Sequence, residues 1–118
     1  MTKERQIHVG ETMDDVGARA VAAWHRMERG EEVQEKHVSF ANCETMVRVL
    51  SPKRLELLRN VHRDPAKNIS VLGQALGRNY RRVHEDVEAL AAAGLLDRDK
   101  EGLRADYDTF DLAMKVAL

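Results

Sequence analysis

The spacing of apolar residues changes several times along the chain, and each change marks an element. Ile7 and Val9 alternate with Gln6 and His8 until Gly10, which predicts a short strand. Met13, Val16, Ala20, Val21, Trp24 and Met27 then recur at helical spacing. Thr12 supplies a cap for this helix, Asp15 lies three residues after it, and Gly30 marks its end. Val38 and Phe40 alternate with His37 and Ser39 as a second strand, and a helical turn or two follows from Glu44 to Val49. The first third therefore reads as β-α-β.

The next segment reads as three helices. Ser51-Pro52 is a helix start, because serine caps free amides and proline supplies the first helical φ without wasting an N–H. Leu55, Leu58 and Val61 face one way, and the pattern stops at Asp64-Pro65 because a residue before proline avoids the α region. Ser70 starts a short helix with Val71, Leu72, Ala75 and Leu76, which Gly77 ends. Asn79 opens a third helix whose inward stripe is Val83, Val87 and Leu90, with Tyr80 at its margin and Gly94 as terminator. Leu95 and Leu96 lead into a polar hairpin over 97–104, and Phe110, Leu112, Met114, Val116 and Leu118 alternate with polar or small residues as a final strand. The predicted fold class is α+β. An N-terminal β-α-β element, 1–48, serves dimerisation or partner binding, and 49–118 forms a winged helix-turn-helix with a C-terminal strand.

Composition narrows the function classes. A chain of 118 residues with 43% hydrophobic residues suits one folded domain. No apolar run approaches bilayer length and the start lacks a secretory h-region, so a cytoplasmic protein without a membrane partner is expected. Cys43 stands alone, which excludes an internal disulfide and a thiolate zinc cluster. His8, His25, His37, His62 and His84 are scattered, no glycine-rich loop follows a strand, and no serine sits in a nucleophile elbow. The expectation is a non-enzyme with no catalytic residue, metal or cofactor. The net charge of −1 hides a strong partition. Residues 48–84 hold Arg48, Lys53, Arg54, Arg59, Arg63, Lys67, Arg78, Arg81 and Arg82 against only Glu56 and Asp64, while both flanking segments are acidic. Such asymmetry points to an anionic partner.

Helix, short helix, glycine turn, longer helix and hairpin is the order of a winged helix-turn-helix, in which the helix after the turn enters the major groove. Placing Val83 and Val87 inward turns Arg78, Arg81 and Glu85 outward with Asn79 and Arg82 on the flanks, and arginine forks suit guanine edges or phosphate. The candidate DNA-binding residues are Arg78, Asn79, Tyr80, Arg81 and Arg82, with Lys53 and Arg54 on phosphate, Ser70, and Arg98, Lys100 and Arg104 in the wing. Asp97, Asp99 and Glu101 interleave with the wing cations and oppose phosphate. His84 and Asp86 sit deep in this helix, where an ordinary helix-packing role is expected ahead of any base contact, with support of its orientation by hydrogen bonding as the other reading.

The run Ile69 to Val87, continuing to Ala93-Gly94-Leu95-Leu96, resembles the MarR-like winged-helix DNA-binding proteins. More narrowly it is similar to a small prokaryotic group of DNA-binding proteins and antitoxins, some encoded beside toxins of the TumE type. The likeness spans Val49 to Val116. It rests on Gly77-Arg78-Asn79-Tyr80, on Val83-His84 and Asp86-Val87, and on Tyr107-Asp108 after the wing. Asp106 stands where relatives often have proline. The resemblance implies a transcriptional regulator, a repressor binding palindromic double-stranded DNA as a homodimer, and an antitoxin with a cognate toxin as partner. The alternative from the residues alone is a protein-interaction module whose cations bind an acidic protein surface. Trp24, Met13 and Met27 are expected in the core or at a subunit interface. The last strand is expected to pair with the N-terminal strands, within one chain or across two.

Overall fold

The computed structural model describes residues 3–31, 37–116 and 118. In chain order the elements are β1 (Glu4–Val9), α1 (Met13–Glu28), β2 (His37–Phe40), α2 (Cys43–Val49), α3 (Pro52–Arg63), α4 (Ile69–Leu76), α5 (Tyr80–Ala92), β3 (Asp97–Asp99), β4 (Gly102–Arg104) and β5 (Thr109–Met114). The fold is mixed α+β. Among the described residues no helix is long and apolar enough to cross a membrane.

Side-chain caps fix where the helices begin. Thr12 and Asp15 close a reciprocal capping box at α1, and the Ser51 hydroxyl accepts from the Arg54 amide ahead of Pro52 in α3. The start of α4 differs from the sequence reading. Asn68, in extended backbone, accepts from the Val71 amide, so the helix begins at Ile69 and Ser70 lies inside its first turn. Asparagine caps as well as serine does, and capping at Asn68 lengthens the helix by two residues.

Two sheets result. The larger has order β2-β1-β5 with every pair parallel, placing Ile7 between Val38 and Leu112 and Val9 between Phe40 and Met114. The smaller is the antiparallel β3–β4 hairpin, extended by a bridge from Ala66 to Leu103. Gly102 makes that bridge possible, since at φ 131 an added Cβ would stand 2.2 Å from the Ala66 carbonyl oxygen.

One core serves the whole molecule. Ile7, Val9, Val38 and Phe40 on one face of the larger sheet join Leu57, Val61, Leu72, Val83, Val87, Leu90, Leu95 and Leu103. Segments 1–48 and 49–118 thus share their apolar interior, and β5 returns from the second to pair with β1 of the first. Arg5 is buried at this junction, donates to the Gly94 carbonyl at 2.8 Å and lies 4.5 Å from the Tyr107 ring centre. Tyr107 donates its hydroxyl to the Leu95 carbonyl at 2.6 Å, and burial pushes its pKa up to about 12.

Two apolar stripes read from the sequence are not in this core. The final strand is shorter than its apolar alternation, ending at Met114, and Leu112 and Met114 on the edge strand β5 are exposed, as is Val116 beyond it. Met13, Trp24 and Met27 are exposed on α1, which has no buried residue. The opposite side of α1 faces the molecule through polar contacts: Arg19 donates to Glu11 at 3.0 Å, Ser39 donates to the same carboxylate at 3.0 Å, and Lys115 reaches Asp15 at 2.8 Å.

Candidate functional site

The site is built on the turn between α4 and α5 and on the hairpin beside it. Gly77, at φ 63, closes α4 in the left-handed conformation, and the Arg78 amide returns to the Gly73 carbonyl at 3.0 Å. Gly73 is buried in this turn, where an added Cβ would stand in ordinary contact, 3.4 Å from the Arg78 carbonyl oxygen. Asn79 then caps α5, its side-chain carbonyl accepting from the Arg81 amide at 2.8 Å. With Val83, Val87 and Leu90 turned inward, Tyr80, Arg81 and Arg82 are exposed on the first turn. Arg81 is 88% exposed, with Glu85 3.7 Å away as a loose helical neighbour. The Tyr80 ring lies over His84 at 6.0 Å between centroids.

Beside Tyr80 a groove of about 320 Å³ opens between the start of α4 and the hairpin, lined by Lys67, Asn68, Ser70, Tyr80, Arg98 and Asp99 among others. Three residues read as site candidates from sequence, Ser70, Tyr80 and Arg98, therefore meet here with α5 adjacent. Lys67 is an addition. Its signal was its position immediately before the Asn68 cap, which holds it at the mouth of the groove. An exposed cation, the hydroxyls of serine and tyrosine, and amides at the start of a helix are groups that hold a phosphate or another oxyanion.

Other candidates are differently employed. Arg54 and Arg78 are not free contact residues: the Arg54 Nε donates to Asp86 at 3.0 Å and an Arg78 terminal nitrogen donates to the other oxygen of the same carboxylate at 2.8 Å. All three side chains are largely shielded, and Arg54 also approaches the carbonyls of Arg48 and Val49 at 3.3 Å. The reason is geometric, because α3, the turn and α5 converge on the one acidic residue of the α5 inner flank. Arg104 is likewise committed, contacting Asp99, Glu101 and Asp106. Arg98 holds Glu88 on α5, which fastens the hairpin to that helix. Lys100 is exposed at the hairpin tip and Lys53 is exposed in the first turn of α3. The cations left outward include Lys53, Lys67, Arg81, Arg82 and Lys100, together with Arg48 on α2 and Arg59 and Arg63 on α3.

A second polar cluster sits under α1. His8 faces Glu11 at 3.4 Å and shares a 2.8 Å hydrogen bond with His37, while Ser39 gives its hydroxyl to Glu11. Burial first, then the Arg19 guanidinium, holds the His8 pKa below its usual 6.5. Among the described residues no group of histidine, cysteine and carboxylate side chains is arranged to hold a metal ion.

A family model, HVO_A0114, matches residues 49–112, more than half of the chain. The chain belongs to the HVO_A0114 family. That match contains α3, α4, the turn, α5, the hairpin and most of β5, so every outward cation named above except Arg48 lies within the HVO_A0114 region. Comparison with curated proteins and with solved structures gives no match.

Proposed function

We propose that residues 49–112 are a winged helix-turn-helix that binds double-stranded DNA, with α5 lying in the major groove and the β3–β4 hairpin against the flanking backbone. The reading makes the protein a cytoplasmic transcriptional regulator, a repressor, and by the resemblance noted from its sequence an antitoxin that represses its own gene together with that of a toxin partner. The observation that carries it is the grouping of exposed Arg81 and Arg82 on the first turn of α5 beside the groove that holds Lys67, Ser70, Tyr80 and Arg98. Guanidinium forks at the start of a helix suit base edges, and the groove suits a phosphate next to them. The Arg54–Asp86–Arg78 network serves positioning in this scheme, since it holds α5 against α3 and fixes the angle at which the helix is presented.

The test is a fluorescence-anisotropy titration against the duplex upstream of the protein's own gene. Affinity should fall with salt at a log-log slope of about −0.9 per phosphate neutralised. The double substitution of Arg81→Ala and Arg82→Ala should weaken binding about 100-fold or more, from two contacts worth roughly 1–3 kcal/mol each, and leave the circular dichroism spectrum unchanged. Unchanged affinity, or tight binding to an acidic protein with none to duplex, would overturn the proposal.

A further inference from the structure

We infer that α1 is the contact through which two copies of this chain pair, antiparallel about a two-fold axis passing near Ala20. The inference stands apart from DNA binding and rests on how α1 is laid on the molecule. Its partly shielded positions are Asp15, Arg19, Ala23 and Arg26, so the charged side faces the sheet. The apolar side looks away. Met13 is 84% exposed, Trp24 61%, Met27 59%, Val21 55% and Val16 39%.

Those five side chains make one contiguous apolar stripe along α1, of the kind that marks an interaction surface when it stays uncovered, and a second copy of the helix would cover it. The molecule is extended to match: its radius of gyration is 16.0 Å, against about 13–14 Å for a compact chain of this length.

The identity of the partner follows from the order of side chains. Met13, Gly17, Ala20, Trp24 and Met27 recur at alternating steps of four and three, the spacing of a helix-pairing seam. Antiparallel about Ala20, Met13 meets the partner's Met27, Ala20 meets the partner's Ala20, and Trp24 lands against the partner's Val16 and the partner's Gly17. Gly17 then leaves room for the indole, and no two large aromatic side chains face each other. The parallel arrangement would set Trp24 on the partner's Trp24 and leave a hole between two glycines.

Gly17 supplies independent support. It sits in mid-helix with open space around it, since an added Cβ would meet nothing within 4 Å, and so nothing inside the chain requires glycine at a cost of about 1 kcal/mol relative to alanine. Close approach of a second indole does require it. Charge agrees as well: exposed Asp14 lies in the first turn and exposed His25 in the last, so the antiparallel pairing brings the acidic end to the basic end and opposes the two helix dipoles.

The test uses the full chain in sedimentation velocity, followed also by the emission of Trp24, the sole tryptophan. Wild type should be dimeric at about 10 µM, with blue-shifted emission that moves red on dilution. Trp24→Glu should raise the dimer dissociation constant about 100-fold or more, as expected for loss of a central aromatic anchor. Gly17→Leu should weaken the dimer comparably while the thermal midpoint of the monomer stays level or rises, an effect that a purely intrachain role for Gly17 does not give. For orientation, in a Cys43→Ser background, Ala20→Cys should form an intermolecular disulfide, Met13→Cys alone should not, and a mixture of Met13→Cys with Met27→Cys should. A wild type that stays monomeric, a Trp24→Glu variant that stays dimeric, or efficient crosslinking of Met13→Cys with itself would overturn the inference. Unaltered dimerisation by the Arg81→Ala and Arg82→Ala variant would show that the two proposals stand or fall separately.

Discussion

Asp86 offers the sharpest test of how α5 is held, because one carboxylate joins three parts of the fold. Its oxygens accept from Arg54 at 3.0 Å and from Arg78 at 2.8 Å, and its side chain is 13% exposed against 21% and 18% for the arginines. Asp86→Ala would leave two guanidiniums facing each other without a counter-ion, and Arg78 already has one terminal nitrogen that is buried without an acceptor. A fully buried pair broken in this way costs about 3–5 kcal/mol, and partial access of water lowers the expectation to about 2 kcal/mol. For a domain of this size that corresponds to a fall of roughly 8 °C in thermal midpoint. Circular dichroism melts at low and moderate salt would measure it, and adding Arg78→Ala to Asp86→Ala should recover part of the loss by removing the repulsion. A midpoint within about 2 °C of wild type would show that the network is an ordinary surface pair and that packing alone orients α5.

Other outcomes follow from single contacts. Gly102→Ala, which forces a Cβ to within 2.2 Å of the Ala66 carbonyl oxygen at φ 131, should destabilise by about 4 kcal/mol or more, whereas Gly77→Ala, at φ 63 with open space around it, should cost only about 1–2 kcal/mol in urea denaturation. Tyr107→Phe should cost about 1–2 kcal/mol, since it leaves the buried Leu95 carbonyl without the hydroxyl it accepts from while keeping the ring beside Arg5. Acid should destabilise in two stages. His8 binds a proton more readily unfolded, so stability is full above pH 6.5 and declines as pH falls through that value toward the lower folded one. Asp15, held at about 2 first by Lys115 and then by the Thr12 cap, adds a loss as pH falls from 3.8 toward 2. A thermal midpoint that rises between pH 8 and pH 5.5 would contradict the His8 assignment.

The elements were legible wherever periodicity and a local cap agreed. Thr12 with Asp15, Ser51-Pro52 and Gly77 mark their helix ends in sequence and in structure alike, because capping is a matter of a few neighbouring residues. Asn68 against Ser70 was a contest between two competent caps, and local chemistry does not decide which wins. Burial was legible for α5, where Val83, Val87 and Leu90 are all buried, but only in part for α3 and α4, where Leu57 is fully buried although the stripe was read through Leu55, and Val71 and Ala75 are exposed. It was not legible for α1 or β5, since an apolar stripe specifies that something must cover it and not whether that cover lies in the same chain. Nor did the sequence announce Arg5, an arginine in a strand whose burial depends on the Gly94 carbonyl and the Tyr107 ring about a hundred residues away.

Charge arithmetic shows the same limit in a form that bears on the site. The nine cations of residues 48–84 look nearly unopposed because that window ends just short of Asp86, the carboxylate that takes two of them. A count along the chain therefore overstates the surface available to an anion, while pairing in space identifies which cations remain. Arg81 retains only a 3.7 Å approach to exposed Glu85, an interaction worth a few tenths of a kcal/mol that water already weakens. Releasing it to a phosphate or a guanine is nearly free, whereas releasing Arg78 would open the joint that holds α5. Cations so unequally bound serve different ends even three residues apart, which is why Arg81 with Arg82, and not Arg78 or Arg54, should dominate the loss of any DNA affinity.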